Sequence, residues 1–199
     1  MFSPIVDKED NLSLPNRKLI SSLESLTNLC GDGSHKSISK CKNLNKKCKI
    51  RDIFTPADKI VSTSTKRIYD VVVAPGETKI DCHSTNLIYL LTCDKCATQY
   101  VGETVCQLSE RMSHHLSSIK DSFSNSSSSC KKLAAHFNDG LCKGSKFNIR
   151  ILEKLEGNGR VGSKRRDPID GTSKRLRLAR EKHWMLKLRT VFPFGLKKR

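Results

Sequence analysis

Arg111 and His115 stand four residues apart in the run VCQLSERMSHHLSSIK. That spacing puts both on one flank of a helix, with His114 on the opposite side. An arginine there can hold a phosphate, and a histidine can move a proton or position a water near neutral pH. A surface Arg–His pair without chemistry would show the same spacing. Upstream, Tyr89 and Tyr100 bracket the C-x-x-C of Cys93 and Cys96. On adjacent antiparallel strands the two rings would share a face, either converging on a ligand or filling the core with their hydroxyls at the rim. Gly102 follows, where a missing side chain permits close backbone approach or an unusual turn. Far downstream, Glu181 sits in REKHWMLKLR. At 100° per residue it projects from the middle of an apolar arc of Leu178, Trp184, Met185 and Leu188. A desolvated carboxylate in such a place is paired, metal-bound or lining a cleft. An ion pair with a neighbouring arginine would satisfy it equally.

These residues need elements to hold them. Asn86–Cys93 reads as a buried strand and Ala97–Val101 as a second, joined by the C-x-x-C loop as a hairpin. Thr104 is the expected N-cap of the helix that follows. In that helix Val105, Leu108, Met112, Leu116 and Ile119 recur at helical spacing as a core stripe. Residues 121–130, DSFSNSSSSC, read as a flexible loop. KKLAAHFNDG reads as a short helical turn, and Phe147, Ile149 and Ile151 alternate as a third strand. A glycine-containing basic loop over 157–172 leads to a last helix expected from Ser173 to Arg189. The order predicts an α+β domain over 81–199, a small three-stranded antiparallel sheet flanked by helices. Residues 1–80 are expected to be a poorly ordered polar extension containing a Cys/Lys-rich segment. Within it, Ile68 to Val73 forms one strand-like run before a Pro-Gly turn.

Composition narrows the partners. Only 36% of the 199 residues are hydrophobic and 6% aromatic, which suits one core rather than two. The net charge is +17. Fourteen Lys or Arg lie between Arg160 and Arg199, against Asp167, Asp170 and Glu181. Such clustering favours a polyanion, DNA foremost, through counterion release, although a solvated basic tail has the same composition. No apolar run reaches the about 20 residues of a membrane helix. MFSPIVDKED shows no secretory leader, so an intracellular and nuclear address is expected. In that setting nine cysteines suggest metal binding or burial rather than disulfides. Cys93 and Cys96 make half of a tetrahedral Zn²⁺ site, to be completed by Cys82 with Cys48 or by Cys41 with Cys48. Two free thiols on a loop are the plainer alternative. Cys106, Cys130 and Cys142 are expected to be structural or incidental.

Taken in order, Ile88-Tyr89-Leu90, Tyr100-Val101-Gly102, Arg111, His115 and the helical Glu181 resemble the GIY-YIG endonucleases. The run NLIYLLTCDKCATQYVGETVCQLSERMSHH, with LAAHFNDG and REKHWMLKLRTVFPFGL, is most similar to the endonuclease domain of Penelope-like retroelements, over roughly Cys82 to Leu196. The resemblance implies a metal-dependent phosphodiesterase that nicks DNA in target-site cleavage. It implies Mg²⁺ or Mn²⁺ on Glu181 and Arg111 on the scissile phosphate. Tyr89 would activate water, with Tyr100 and His115 assisting. In the full elements such a domain is joined to a reverse transcriptase, of which this chain shows nothing. The chain departs from the family in lacking the first Gly and in carrying Lys197, a candidate phosphate contact, where Gly-Leu-Asn usually ends the last block. A non-catalytic, zinc-stabilised nucleic-acid-binding protein is the second reading. A nuclear interaction protein addressed by KRR…SKRLR is the third.

Overall fold

The computed structural model describes residues 37–38, 50, 52–73, 79–120, 128–138, 140–156 and 171–196. Residues 1–36, the Ser-rich 121–127 and the basic 157–170 fall outside these, as do Cys41, Cys48 and Lys197. The strands are β1 (Ser37–Ile38), β2 (Lys59–Val61), β3 (Ile68–Asp70), β4 (Val72–Val73), β5 (Lys79–Ile80), β6 (Leu87–Cys93), β7 (Gln99–Thr104) and β8 (Phe147–Lys154). The helices are α1 (Leu108–Lys120), α2 (Ser128–Asn138) and α3 (Gly171–Lys187), with a 3-10 turn at Gly140–Cys142.

The domain is α+β, but the sheet is not the three-stranded one expected. Its order is β4-β8-β6-β7, with β6 antiparallel to both neighbours and β4 added in parallel along β8. Two small two-stranded sheets, β1-β5 and β2-β3, accompany it. The run from Ile68 to Val73 divides because the Val71 amide bonds the Asp58 carbonyl at 2.8 Å. Its first half thereby pairs with β2 while its second half joins the main sheet.

Strand alternation sorts the core into two layers. Leu87, Tyr89, Leu91, Tyr100, Ile149 and Ile151 face α1 and α2, packing on Leu108, Met112, Leu133 and Phe137. Ile88, Leu90, Val101 and Leu152 face Trp184 of α3 and Leu188 just beyond its end. Residues expected to be an extension are part of both layers. Ile50 and Phe54 pack in the first and Ile60 in the second, each buried. The β2–β3 hairpin is fastened over α3 by Ser62 Oγ to the Leu188 carbonyl at 2.9 Å and Tyr69 Oη to the Lys187 carbonyl at 3.0 Å. A boundary near residue 81 is therefore no break in the packing.

Thr104 is not the N-cap of α1. It ends β7, and its hydroxyl is engaged with the backbone of Cys106. The helix begins at Leu108, where the Leu108 and Ser109 amides bond the carbonyls of Ser84 and Cys82 at 3.0 and 2.9 Å. Backbone of the turn ahead of β6 thus does the work expected of a side-chain cap. The expected core stripe is present with a gradient: Leu108 and Met112 are buried, Val105, Leu116 and Ile119 only half-buried. The turn predicted at KKLAAHFNDG is, from Lys131 to Asn138, the greater part of the eleven-residue α2. No helix among the described residues is long and apolar enough to cross a membrane.

Candidate active site and a cysteine–histidine cluster

Tyr89 is the centre of the site. It pairs with Gly102 across β6 and β7, and a Cβ on Gly102 would overlap the Tyr89 ring and hydroxyl. The close approach expected at Gly102 is therefore made by Tyr89 itself, which crosses β7 where no side chain blocks it. Tyr100, opposite Leu91, lies diagonally on the same face. Both rings meet His115 edge-on, with centroids 5.9 and 6.0 Å away. The four-residue spacing on α1 brings Arg111 and His115 to the same hydroxyl. Tyr89 Oη lies 2.7 Å from His115 Nε2 and receives the Arg111 Nε–H at 3.1 Å. Arginine can only donate, so the phenolic oxygen accepts from it. When the phenolic proton is directed at His115 Nε2, a neutral His115 carries its own proton on Nδ1. His114 is exposed, on the far side of the helix.

Tyr89 and His115 are fully buried whereas Arg111 is half-buried. Burial is the main reason that the Tyr89 hydroxyl holds its proton far above the usual phenol range. Arg111 opposes that rise by charge and hydrogen bond, and the negative charges of Glu181 and Glu103 add to it. Glu181 is thus within electrostatic reach of the Tyr89 hydroxyl although it comes from α3, on the other side of the sheet. It is half-buried. The apolar arc expected around it is only partly real: Trp184 and Leu188 are buried, Met185 is half-buried, and Leu178 is 44% exposed. The inner face of α3 is instead strongly ionic. Arg177, 3% exposed, bonds Glu103 of β7 at 3.0 Å. Arg180 Nε bonds both oxygens of Glu153 at 2.8 and 2.9 Å, and the Trp184 indole N–H adds a third bond at 2.7 Å. Sequence reasoning missed Glu103 and Glu153. Their signal was a lone acidic residue in each of two largely buried strands.

A second group of reactive side chains lies at the opposite end of β6. Cys93 and Cys96 are joined by His136 of α2 and Cys142 of the 3-10 turn, and the four ligand atoms all lie within 4.8 Å of one another. Tetrahedral Zn²⁺ with bonds of about 2.3 Å to sulfur spaces its ligands by about 3.8 Å. The cluster could therefore hold a metal ion with a small inward movement. It forms because Cys93–Ala97 closes on itself, with the Ala97 amide on the Cys93 carbonyl at 3.0 Å and Ala97 in the left-handed region at φ 59°. Cys96 Sγ lies 3.5 Å from His136 Nε2. Hydrogen bonding from Cys93 is the largest cause that lowers the Cys96 thiol to about 7, with Thr98 adding to it. Cys93 is raised, chiefly by that same hydrogen bond and then by burial, and Cys142 is raised by burial. One thiol is already poised to become a thiolate, the form a metal takes.

This corrects the expected ligand set. Cys142, taken as incidental, belongs to the cluster and so does His136, whereas buried Cys82 does not and Cys48 lies outside the described residues. The C-x-x-C supplied half of the set as expected. The other half is His136 and Cys142, six residues apart across the end of α2, a spacing without a familiar zinc signature.

Comparison with models of protein families, with curated proteins and with solved structures returns no match for this chain.

Proposed function

We propose that the chain is a divalent-metal-dependent endonuclease that nicks DNA through a GIY-YIG-type site, the endonuclease part of a Penelope-like retroelement acting in target-site cleavage. The observation that carries this reading is the hydrogen-bonded chain Arg111–Tyr89–His115, with Glu181 of a separate helix acting on the same hydroxyl. A structural tyrosine this deeply buried needs one partner for its hydroxyl; this one has two, and one of them is a guanidinium. The +17 charge supports a nucleic-acid substrate.

In this reading each residue has a task its position allows. Tyr89 enters the reaction as a phenol, because burial holds its proton. As its oxygen takes a proton from the attacking water, its own proton passes to His115 Nε2, leaving an imidazolium and a nucleophilic hydroxide. Arg111, half-buried beside that oxygen, can turn one edge of its guanidinium to the scissile phosphate and stabilise the charge that develops there. Tyr100 packs on His115 and keeps its ring in line. The half-buried Glu181 carboxylate would hold a hard cation, and Mg²⁺ or Mn²⁺ there would supply Lewis-acid charge stabilisation.

The Cys93, Cys96, His136 and Cys142 cluster is read as a Zn²⁺ staple that ties the β6–β7 hairpin to α2. Conversion of supercoiled plasmid to the open circle in Mg²⁺ or Mn²⁺, abolished by EDTA, tests the nuclease. Tight, salt-sensitive DNA binding with no nicking in any metal would favour the alternative, a non-catalytic, zinc-stabilised nucleic-acid-binding protein.

A further inference from the structure

Helix α3 is seated in an unusual way. In the part of it that precedes Glu181, no described apolar side chain is buried: Leu176 is 50% and Leu178 44% exposed. The buried apolar contacts, Trp184 and Leu188, all come after it. The first half is held by its arginines instead. Arg177 reaches Glu103 and Arg180 reaches Glu153, and those two carboxylates stand on either side of Ile88 in the register of the sheet. Arg177 and Glu181 are four residues apart, on one flank of the helix. Glu103 directly follows Gly102, over which the Tyr89 ring lies. Both Glu103 and Glu181 act on the Tyr89 hydroxyl.

We infer that Glu103 and Arg177 are positioning residues that fix the rotation of α3 and so aim the Glu181 carboxylate at the Tyr89 side of the sheet. This rests on the nuclease reading for its functional consequence, not for its geometry. Apolar packing of Trp184 and Leu188 fixes where the helix lies, and the directional bonds to Glu103 and Glu153 fix its rotation. Arg177 lies on the flank of Glu181, so its directional bond to Glu103, whose loss would strand a buried charge, sets the direction in which that flank faces. Glu153, with Arg180 and the Trp184 indole, holds the helix down from the other side. The role of Glu103 is thus distinct from that of Glu153: one aims, the other docks.

The test compares the full chain with Arg177→Gln, Glu103→Gln and Arg177→Lys. Three readouts are taken: the crystal structure, Mn²⁺ affinity by electron paramagnetic resonance, and single-turnover nicking. The protein has one tryptophan, so its emission reports α3 docking in solution. Arg177→Gln and Glu103→Gln are expected to keep the wild-type Trp184 emission and the Trp184–Glu153 bond. Their Glu181 carboxylate is expected to move by about 1 Å or more, and such a displacement costs about 10²-fold in single-turnover nicking. Mn²⁺ affinity is expected to fall about tenfold or more, as on loss of a residue that orients a ligand. Arg177→Lys, which retains the charge, should recover part of both. An unmoved Glu181 in Arg177→Gln overturns the inference, and so does a red-shifted Trp184 in that variant, which would make the pair a general docking contact. A wild-type protein that neither binds Mn²⁺ nor nicks would remove the nuclease reading, while the position of Glu181 would still decide the clamp.

Discussion

Tyr89→Phe is the most informative single change, because it removes one oxygen and leaves the packing. The ring is fully buried and lies over Gly102, so phenylalanine fills the same volume. What disappears is the acceptor for Arg111 at 3.1 Å and the partner of His115 Nε2 at 2.7 Å. Half-buried Arg111 can turn to water at little cost. Fully buried His115 cannot, and an unsatisfied buried polar group costs about 1–3 kcal/mol. A destabilisation of about 2 kcal/mol follows, which at about 2–4 °C per kcal/mol lowers Tm by roughly 4–8 °C for a chain of this size. Nicking should fall much further, by about 10²–10⁴-fold, the range for losing a proton-transfer group. Thermal unfolding by circular dichroism and single-turnover nicking at saturating Mn²⁺ measure the two effects on one preparation. A variant that nicks within threefold of wild type would refute the role given to the Tyr89 oxygen, and an unchanged Tm would refute the account of His115.

Gly102→Ala should displace the Tyr89 ring and cost about 1–3 kcal/mol as an overpacked site, read as a lower urea midpoint at an unchanged slope. Metal analysis of the purified protein is expected to find one zinc per chain, lost in Cys142→Ser and His136→Ala and retained in Cys82→Ser; retention in Cys142→Ser would contradict the assigned cluster. The raised proton affinity of Tyr89 gives a signed pH effect. Above pH about 10 the unfolded chain releases the phenolic proton while the folded protein keeps it, so stability falls with rising pH. The slope from this group approaches about 1.4 kcal/mol per pH unit, and urea titrations between pH 9.5 and 11 should show it absent from Tyr89→Phe.

Much of the site was legible because its spacings are local. The turn between Arg111 and His115, and the alternation that puts Tyr89 and Tyr100 on one face, follow from helix and strand periods. The C-x-x-C loop was readable as half of a metal site for the same reason. What could not be read were pairings made across the fold. Glu103 and Glu153 meet α3 only because strands far apart in sequence lie side by side, and no period within α3 reports that its inner face is made of arginines. His136 and Cys142 meet Cys93 and Cys96 only once α2 is packed against the hairpin. The fourth strand was hidden by its length: two residues, Val72 and Val73, carry too little pattern to separate from β3. Thr104 misled because its hydroxyl serves the Cys106 backbone, whereas the helix start is capped by carbonyls of Cys82 and Ser84.

The central claim is that Glu181, Arg111 and Tyr89 form one phosphate-cleaving centre. It is tested most directly by single-turnover nicking of an end-labelled duplex in Mn²⁺, comparing wild type with Glu181→Ala and Arg111→Ala at equal fractions of DNA bound. The account predicts that wild type nicks, and that both variants bind and remain folded but cut at least about 10²-fold more slowly, the size of effect that losing charge stabilisation in a transition state produces. Equal cutting by all three proteins, or none by the wild type in either Mg²⁺ or Mn²⁺, would contradict it.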